Sequence, residues 1–351
     1  MELIFNWQQI KGRGRGLTFD DVLIIPAKSE VKSRRDPSLQ TQLTKNITIE
    51  TPILSANMDT VTEVEMAIAM NKLGGIGILH RFVSIDEQVK FVHAVKDTGA
   101  KNISASIGVN DDFKERAEAL IKAGVNIITI DIAHGHSIAM IDVMKWLKDK
   151  FPKVELIAGN LATPDAAYDL IQAGADALKV GIGPGSMCTT RIITGCGIPQ
   201  LTAIALCAEV ANEHKVPVIA DGGIRTSGDF VKAFAAGASS VMIGSMLSRT
   251  IETPGEIKNG RKQYRGMASK SAQVSWRGGV PEGMAPEGES TLVSVKGHAR
   301  NVIMEITGGI RSGMSYINAS TLGEIRDKAR FIEMSNAGTN ESRAHGLNKD
   351  S

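Results

Sequence analysis

Eight short apolar runs, each followed by a helical pattern, constrain this chain more than any other feature. They are PILSA (52–56), GIGIL (75–79), NISASIG (102–108), NIITID (126–131), ELIAGN (155–160), ALKVG (177–181), VPVIAD (216–221) and SVMIG (240–244). Short runs rich in Ile, Val and Leu suit strands buried on both faces, as in a parallel sheet, with the helical stretches as crossovers. The segments KLGGIGIL, KAGVNIITI, QAGADALKV and AAGASSVMI each leave a helix at a glycine (Gly74, Gly124, Gly174 and Gly237) and enter a strand. Glycine there accepts the left-handed turn that stops a helix. Helix starts are marked too. Thr62-x-x-Glu65 and Ser84-x-x-Glu87 read as capping boxes, and Thr163-Pro164 as an N-cap followed by a residue preset for the first helical position. Phe113, Ala117, Leu120 and Ile121 fall on one helical face.

Eight such units in 351 residues predict an α/β fold, a (β/α)8 TIM barrel, with a doubly wound sheet as the other arrangement. One barrel domain is expected to take up residues 1–351. Two stretches break the repeat: a loop at 181–200 after the sixth run, and a Gly-, Pro- and charge-rich flap at 250–295 after the eighth. Residues 340–351 read as a mobile tail. Lys plus Arg (40) nearly balances Asp plus Glu (38), so no basic face for nucleic acid is implied. The start, MELIFNWQQIKGRGRG, does not read as a signal peptide, and no apolar run of the length needed to span a membrane is present. Three cysteines supply no disulfide framework and fit a reducing, cytoplasmic setting.

Barrel sites form at the carboxyl ends of the strands. Here those ends read SANMD, LH, Asp131, Gly159-Asn160, GIGPGSMC, DGG and GS. Cys188 follows Gly181, Gly183, Pro184 and Gly185 and precedes Thr189, Thr190 and Arg191. A cation and aligned N–H groups beside a thiol favour the nucleophilic thiolate; a buried inert cysteine is the alternative. Cys196, between two glycines, and Cys207, beside the stripe of Leu201, Ile204, Ala208 and Ala211, read as structural. Asp221-Gly222-Gly223 and Gly244-Ser245 end strands seven and eight, where barrels hold phosphate on backbone N–H groups. Asp221 suits ribose hydroxyls; turn chemistry alone is the other reading. His134-x-His136 lacks a third zinc ligand at workable spacing, and GGIGIL lacks the Rossmann glycine spacing.

At GIGPGSMCTTR (181–191) the chain resembles the IMP dehydrogenase / GMP reductase family. The similarity continues through LTFDDVLIIPAKSEV, SANMDTVT, IAGN, GIPQLTAI, ADGGI, YRGM and GGIRSGMSY. It implies a (β/α)8 barrel, a homotetramer, and a loop cysteine that attacks purine C2 while a nicotinamide cofactor exchanges hydride there. Dehydrogenases of the family usually insert regulatory CBS modules after strand two; here GIGIL runs straight to LHRFVSIDEQVKFV, so no CBS modules are expected. Dehydrogenases also carry a flap Arg-Tyr pair whose Arg activates water. SAQVSWRGGVPEGMAPEGE (271–289) lacks it and resembles the reductase flap in GGV and A-x-E-G, as does Asn57 in SANMDTV. In contrast, LTFDDVLIIPAKSEV, IDIAHGHS and FIEMSNAGTNES are nearer the dehydrogenase, and Met284, Ala268 and Arg81 stand where reductases have Arg, Ser and Lys.

The resemblance thus implies NADPH-dependent reductive deamination of GMP to IMP through a covalent cysteine thioimidate, with an IMP dehydrogenase lacking CBS modules as the alternative. Carried over residue by residue, it makes Cys188, Thr190 and Glu287 catalytic. It assigns nucleotide binding to Ser186, Asp221, Gly222, Gly223, Gly244, Ser245, Gly266, Met267 and Gly288. Cofactor binding falls to Arg81, Asp131, Ile132, Ala133, Asn160 and Gly183, and a monovalent cation, K+, to Gly183, Gly185, Cys188 and Arg191.

Overall fold

The computed structural model describes residues 3–110 and 112–342. Most of the expected tail, 343–351, lies outside the described residues; its first two residues close a helix, Asn336–Glu341. All eight apolar runs form strands: β1 (Ile53–Ser55), β2 (Ile76–Leu79), β3 (Ser104–Ile107), β4 (Ile127–Asp131), β5 (Glu155–Leu161), β6 (Ala177–Val180), β7 (Val218–Asp221) and β8 (Ser240–Ile243). They pair in parallel in chain order, and β8 pairs with β1 to close the barrel, with Met242 opposite Leu54. The doubly wound alternative is excluded.

The crossovers are α1 (Val64–Lys72), α2 (Ile85–Lys96), α3 (Phe113–Ala123), α4 (Ile138–Lys150), α5 (Pro164–Gln172), α6 (Gln200–Glu213) and α7 (Ser227–Ala235). Gly74, Gly124, Gly174 and Gly237 have φ of +79°, +124°, +104° and +113°, the left-handed stops that the repeats require. Ser84 and Thr163 cap α2 and α5 by accepting from Glu87 N and Ala166 N. The box at Thr62 does not form. Glu63 occupies the N-cap of α1 with no side-chain cap bond, and Thr62 Oγ1 turns inward to Ser55 Oγ (2.8 Å) and Ala56 O (2.7 Å). Among the described residues no helix is long and apolar enough to cross a membrane.

Strand period two divides the core. Leu54, Ile76, Ile78, Ile127, Ile157, Ala177, Ile219 and Met242 point inward and fill the barrel. Alternate residues such as Ile53, Leu178 and Val241 pack outward among the helices. Each Ile or Leu so buried contributes about 1.5–3 kcal/mol. A short hairpin (Thr41–Gln42 with Thr48–Ile49) plugs the amino-terminal end with Leu43 and Ile49. Above the apolar layers, at the carboxyl end, the inward positions turn polar or glycine: Asp131, Gly159, Lys179, Asp221 and Gly244.

The flap carries regular structure. Strand β9 (Arg261–Arg265) pairs antiparallel with β10 (Ser290–Ser294), and α8 (Lys270–Arg277) lies between them. Arg265 anchors it to the barrel, with Nε at 3.2 and 3.1 Å from the two carboxylate oxygens of Asp59. Helix α9 (Ala299–Tyr316) then packs against α7 and α1, completing the ring.

Candidate active site

The loop after β6 is forced into one path by contact. Gly181 has φ +152°, and a Cβ there would lie 2.0 Å from Asp221 O, so no side chain fits. Gln200, the first residue of α6, donates to Val180 O (2.9 Å) and Asp221 O (3.2 Å) and ties β6 to β7 beneath the loop. Arg191 spans the loop from inside, donating to Ile182 O (3.2 Å) and Ile198 O (2.6 Å). The half-buried Cys188 stands at its apex, its N–H bonded to Gly185 O.

Cys188 Sγ donates to Thr190 Oγ1 at 3.1 Å, and Thr190 Oγ1 donates to Glu287 Oε2 at 2.8 Å. Two backbone bonds hold the flap carboxylate there: Thr189 N to Glu287 O (3.1 Å) and Glu289 N to Met187 O (2.8 Å), flanking a bridge between Cys188 and Gly288. Gly266 and Gly288 both crowd Met187 O, where a Cβ would come within 3.0 and 3.1 Å, and Met267 Sδ accepts from Asp59 N. The three proposed catalytic residues and this wall of proposed nucleotide contacts thus meet across 100 residues of sequence.

On one side of Cys188, Ser186 Oγ lies 3.4 Å from Tyr264 Oη. Gly244 is close enough that a Cβ would sit 3.2 Å from the same hydroxyl. A pocket of about 310 Å³ opens here, lined by Arg225, Ser245, Ser248, Arg249 and Tyr264 among others. Gly222 and Gly223, at φ +95° and +81°, bring the β7 turn against Pro184. Burial pushes the Tyr264 phenol above its ordinary range, partly offset by Ser186, so it remains a donor.

On the other side, the barrel mouth holds a charged hub. Lys179 Nζ donates to Asp131 Oδ1 (2.7 Å), Asp221 Oδ2 (2.8 Å) and Asn160 Oδ1. Asn160 Nδ2 donates in turn to Gly181 O (2.7 Å) and Asp221 Oδ2 (2.9 Å). Burial alone would raise Asp131, but the Lys179 charge and hydrogen bond outweigh it, with help from Arg81 and Asn57, and hold the carboxyl below its usual range. Burial alone would lower Lys179; the two carboxylates outweigh that and raise it. Ile132 is fixed beside them by bonds to Gly159 O (3.1 Å) and from Asn160 N (2.9 Å).

Arg81 borders this hub. Its guanidinium lies 4.7 Å from the Phe82 ring, Phe82 lies 5.3 Å from Trp276 of the flap, and Arg277 stacks on Trp276 at 3.9 Å. Burial lowers the Arg81 pKa, and Asp131 counters it. Arg81 Nε and Trp276 Nε1 are buried without a hydrogen-bond partner among the described residues. Two orphaned donors beside a cation wall fit an anionic, acceptor-rich ligand such as a dinucleotide.

Sequence reasoning missed Lys179, Tyr264 and the Phe82–Trp276 stack. Lys179 carried a signal: it shares the inward face of β6 with Ala177, so period two alone points a cation into the barrel. A larger cleft of about 550 Å³, lined by Trp7, Glu209 and Arg326, lies among helices away from the strand ends. Two of its charges are engaged, Glu209 by Lys11 and Arg326 by Asn212. Cys207 is fully buried, and burial raises its thiol well above the usual range; Cys196 is exposed.

A family model described as IMP dehydrogenase / GMP reductase domain matches residues 16–345. An inosine-5'-monophosphate dehydrogenase of Cryptosporidium parvum is 42% identical over 390 aligned residues, covering 96% of this chain and 96% of that protein. Another, of Nitrosopumilus maritimus, is 37% identical over 468 residues, covering 95% and 98%. A GMP reductase of Leishmania donovani is 34% identical over 479 residues, covering 95% and 97%. All three alignments are longer than the 351 residues of this chain, the latter two by the most, so those relatives carry stretches that it lacks. Both activities occur among relatives of similar coverage, and the choice between them falls to the residues of the site.

Proposed function

The chain belongs to the IMP dehydrogenase / GMP reductase family, oxidoreductases of purine nucleotides, and within it we propose that it is a reductase, converting GMP and NADPH to IMP, ammonia and NADP+. One observation carries this reading: the flap lays a carboxylate, not a guanidinium, beside Cys188. Glu287 reaches the thiol through Thr190, whereas the flap's Arg277 lies on Trp276, towards Arg81. A carboxylate–hydroxyl pair suits proton delivery to a departing amine. Hydrolysis of a covalent adduct needs a base for water instead.

In this reading the Cys188 thiolate adds to C2 of GMP, and the electron pair of the C2=N3 bond takes up a proton at N3. Thr190, relaying from Glu287, protonates the 2-amino group. Ammonia leaves as the double bond reforms, giving the thioimidate. NADPH, when bound, would supply the hydride that C2 accepts; the C–S bond then breaks as the C2=N3 bond reforms, N3 sheds the proton it gained at the first step, and IMP and thiolate are released. Ser186, Gly223, Gly244, Ser245 and Tyr264 are assigned to the 5'-phosphate and Asp221 to the ribose. Gly222, Gly266, Met267 and Gly288 complete the nucleotide's surroundings. Arg81, Asp131, Ile132, Ala133, Asn160 and Gly183 are assigned to the cofactor, and Gly183, Gly185, Cys188 and Arg191 to K+. The exposed Ile192 and Ile193 beside the loop supply apolar surface for a homotetramer.

Nicotinamide absorbance in two reactions tests the reading. GMP with NADPH should lose absorbance and release ammonia, while IMP with NAD and K+ stays flat. A gain in the second reaction alone overturns it. The dehydrogenase reading then stands, favoured by the 42% identical relative, with Arg277 as the residue to replace for its missing base.

A further inference from the structure

Lys179 has no donor left to offer a ligand. An ammonium carries three protons, and Asp131, Asp221 and Asn160 take all three. The residue is about 1% exposed, and its stem runs along Gly159, where a Cβ would approach Lys179 Cβ to 2.7 Å. Whatever Lys179 does, it does through its acceptors. Those acceptors belong to different ligands under the reductase reading, on which this inference rests: Asp221 to the nucleotide's ribose, Asp131 and Asn160 to the dinucleotide. Asp221 Oδ2 is committed to Lys179 and Asn160, while Oδ1 has no partner among the described residues and is left for a hydroxyl.

We propose that Lys179 is a positioning residue that makes binding of the nucleotide and of the dinucleotide interdependent. Ribose hydroxyls donating to Asp221 draw charge from its side of the ammonium. Lys179 then leans on Asp131 and fixes that carboxylate and Asn160 before the second ligand arrives. A surface ordered by the first ligand costs the second less to bind, which is positive coupling. The same ammonium lies between two carboxylates that, without it, would repel each other at the centre of the barrel, and it holds Asp131 ionised. The purely structural alternative, a counter-ion that only holds the strands together, predicts no coupling.

NADPH binding, followed by its fluorescence with and without IMP, tests this. IMP and NADPH do not react with each other in either direction of the family's chemistry. The same holds for IMP and NADH, so the coupling is measured with whichever reduced cofactor the turnover assay selects, NADPH for a reductase or NADH for a dehydrogenase, and the two conclusions fail separately. Wild-type protein should bind NADPH about 5–150-fold tighter with IMP present, the ordinary range for coupled sites. Lys179→Met should bring that factor to about one and lower kcat far more than it changes KM for the nucleotide; Lys179→Arg should restore part of both. If Lys179→Met does not fold, Asp131→Ala decides, because it removes one acceptor outright and leaves the Lys179–Asp221 pair. Its coupling should also vanish while IMP affinity stays within about threefold. A wild-type factor of one, or coupling that survives in these variants, overturns the proposal.

Discussion

Cys188 begins a hydrogen-bonded line that ends on the Glu287 carboxylate, and each member can be removed with little change of shape. Cys188→Ala deletes only the sulfur. Turnover should fall below detection while GMP affinity, measured calorimetrically, stays within a few fold, because the proposed phosphate and ribose contacts do not involve the thiol. Loss of binding would mean that the nucleotide lies elsewhere. Glu287→Gln keeps the volume and the bond from Thr190 but no longer carries a proton between the two states. If the carboxylate delivers protons to the leaving amine, kcat should drop by roughly 10²–10⁴-fold with KM nearly constant, as for loss of a general acid. A raised KM with kcat intact would instead make Glu287 a binding residue.

The elements show where local rules hold and where the fold overrides them. Thr62-x-x-Glu65 and Ser84-x-x-Glu87 have the same spacing, yet only Ser84 caps its helix, because the buried Thr62 finds acceptors on Ser55 and Ala56. Strands and helix ends were legible because periodicity and glycine stops are local. The loop and its cysteine stood out for the same reason. The Lys179 hub was not, since its carboxylate partners lie 42 and 48 residues away and meet only once the barrel closes. The loop also offers a paired test of its backbone demands. Gly181 and Gly195 both have positive φ, but a Cβ at Gly181 strikes Asp221 O whereas one at Gly195 meets open space. Gly195→Ala should cost about 1 kcal/mol of backbone strain and keep activity. Gly181→Ala must displace β7 or the cysteine loop. It should lose at least tenfold in kcat/KM and lower Tm by more than Gly195→Ala does. Equal losses in the two variants would show that strain, not the collision with Asp221, dominates.

At the scale of the whole molecule, two carboxylates far apart share one electrostatic design. Asp131 sits in the barrel mouth against Lys179. Glu333, on the strand that joins the amino-terminal segment to the chain end, is gripped by Arg13 and Arg15. In each, burial alone would raise the pKa, and the cations outweigh it, so both lie below their ordinary values. Unfolded carboxylates titrate near about 3.9 for Asp and about 4.3 for Glu. A folded value below the unfolded one contributes stability that is complete above the unfolded pKa and is lost as pH falls through the folded one. Tm at fixed ionic strength should therefore be flat from neutral pH to about 5 and fall below about 4. The double variant Arg13→Met, Arg15→Met tests the Glu333 share. It should start with a lower Tm at pH 7 and lose less on acidification, because the Glu333 carboxylate is then no longer favoured in the folded state. A Tm that climbs below pH 4 would mean that the folded chain binds protons more readily than the unfolded one, contrary to both ion-paired sites.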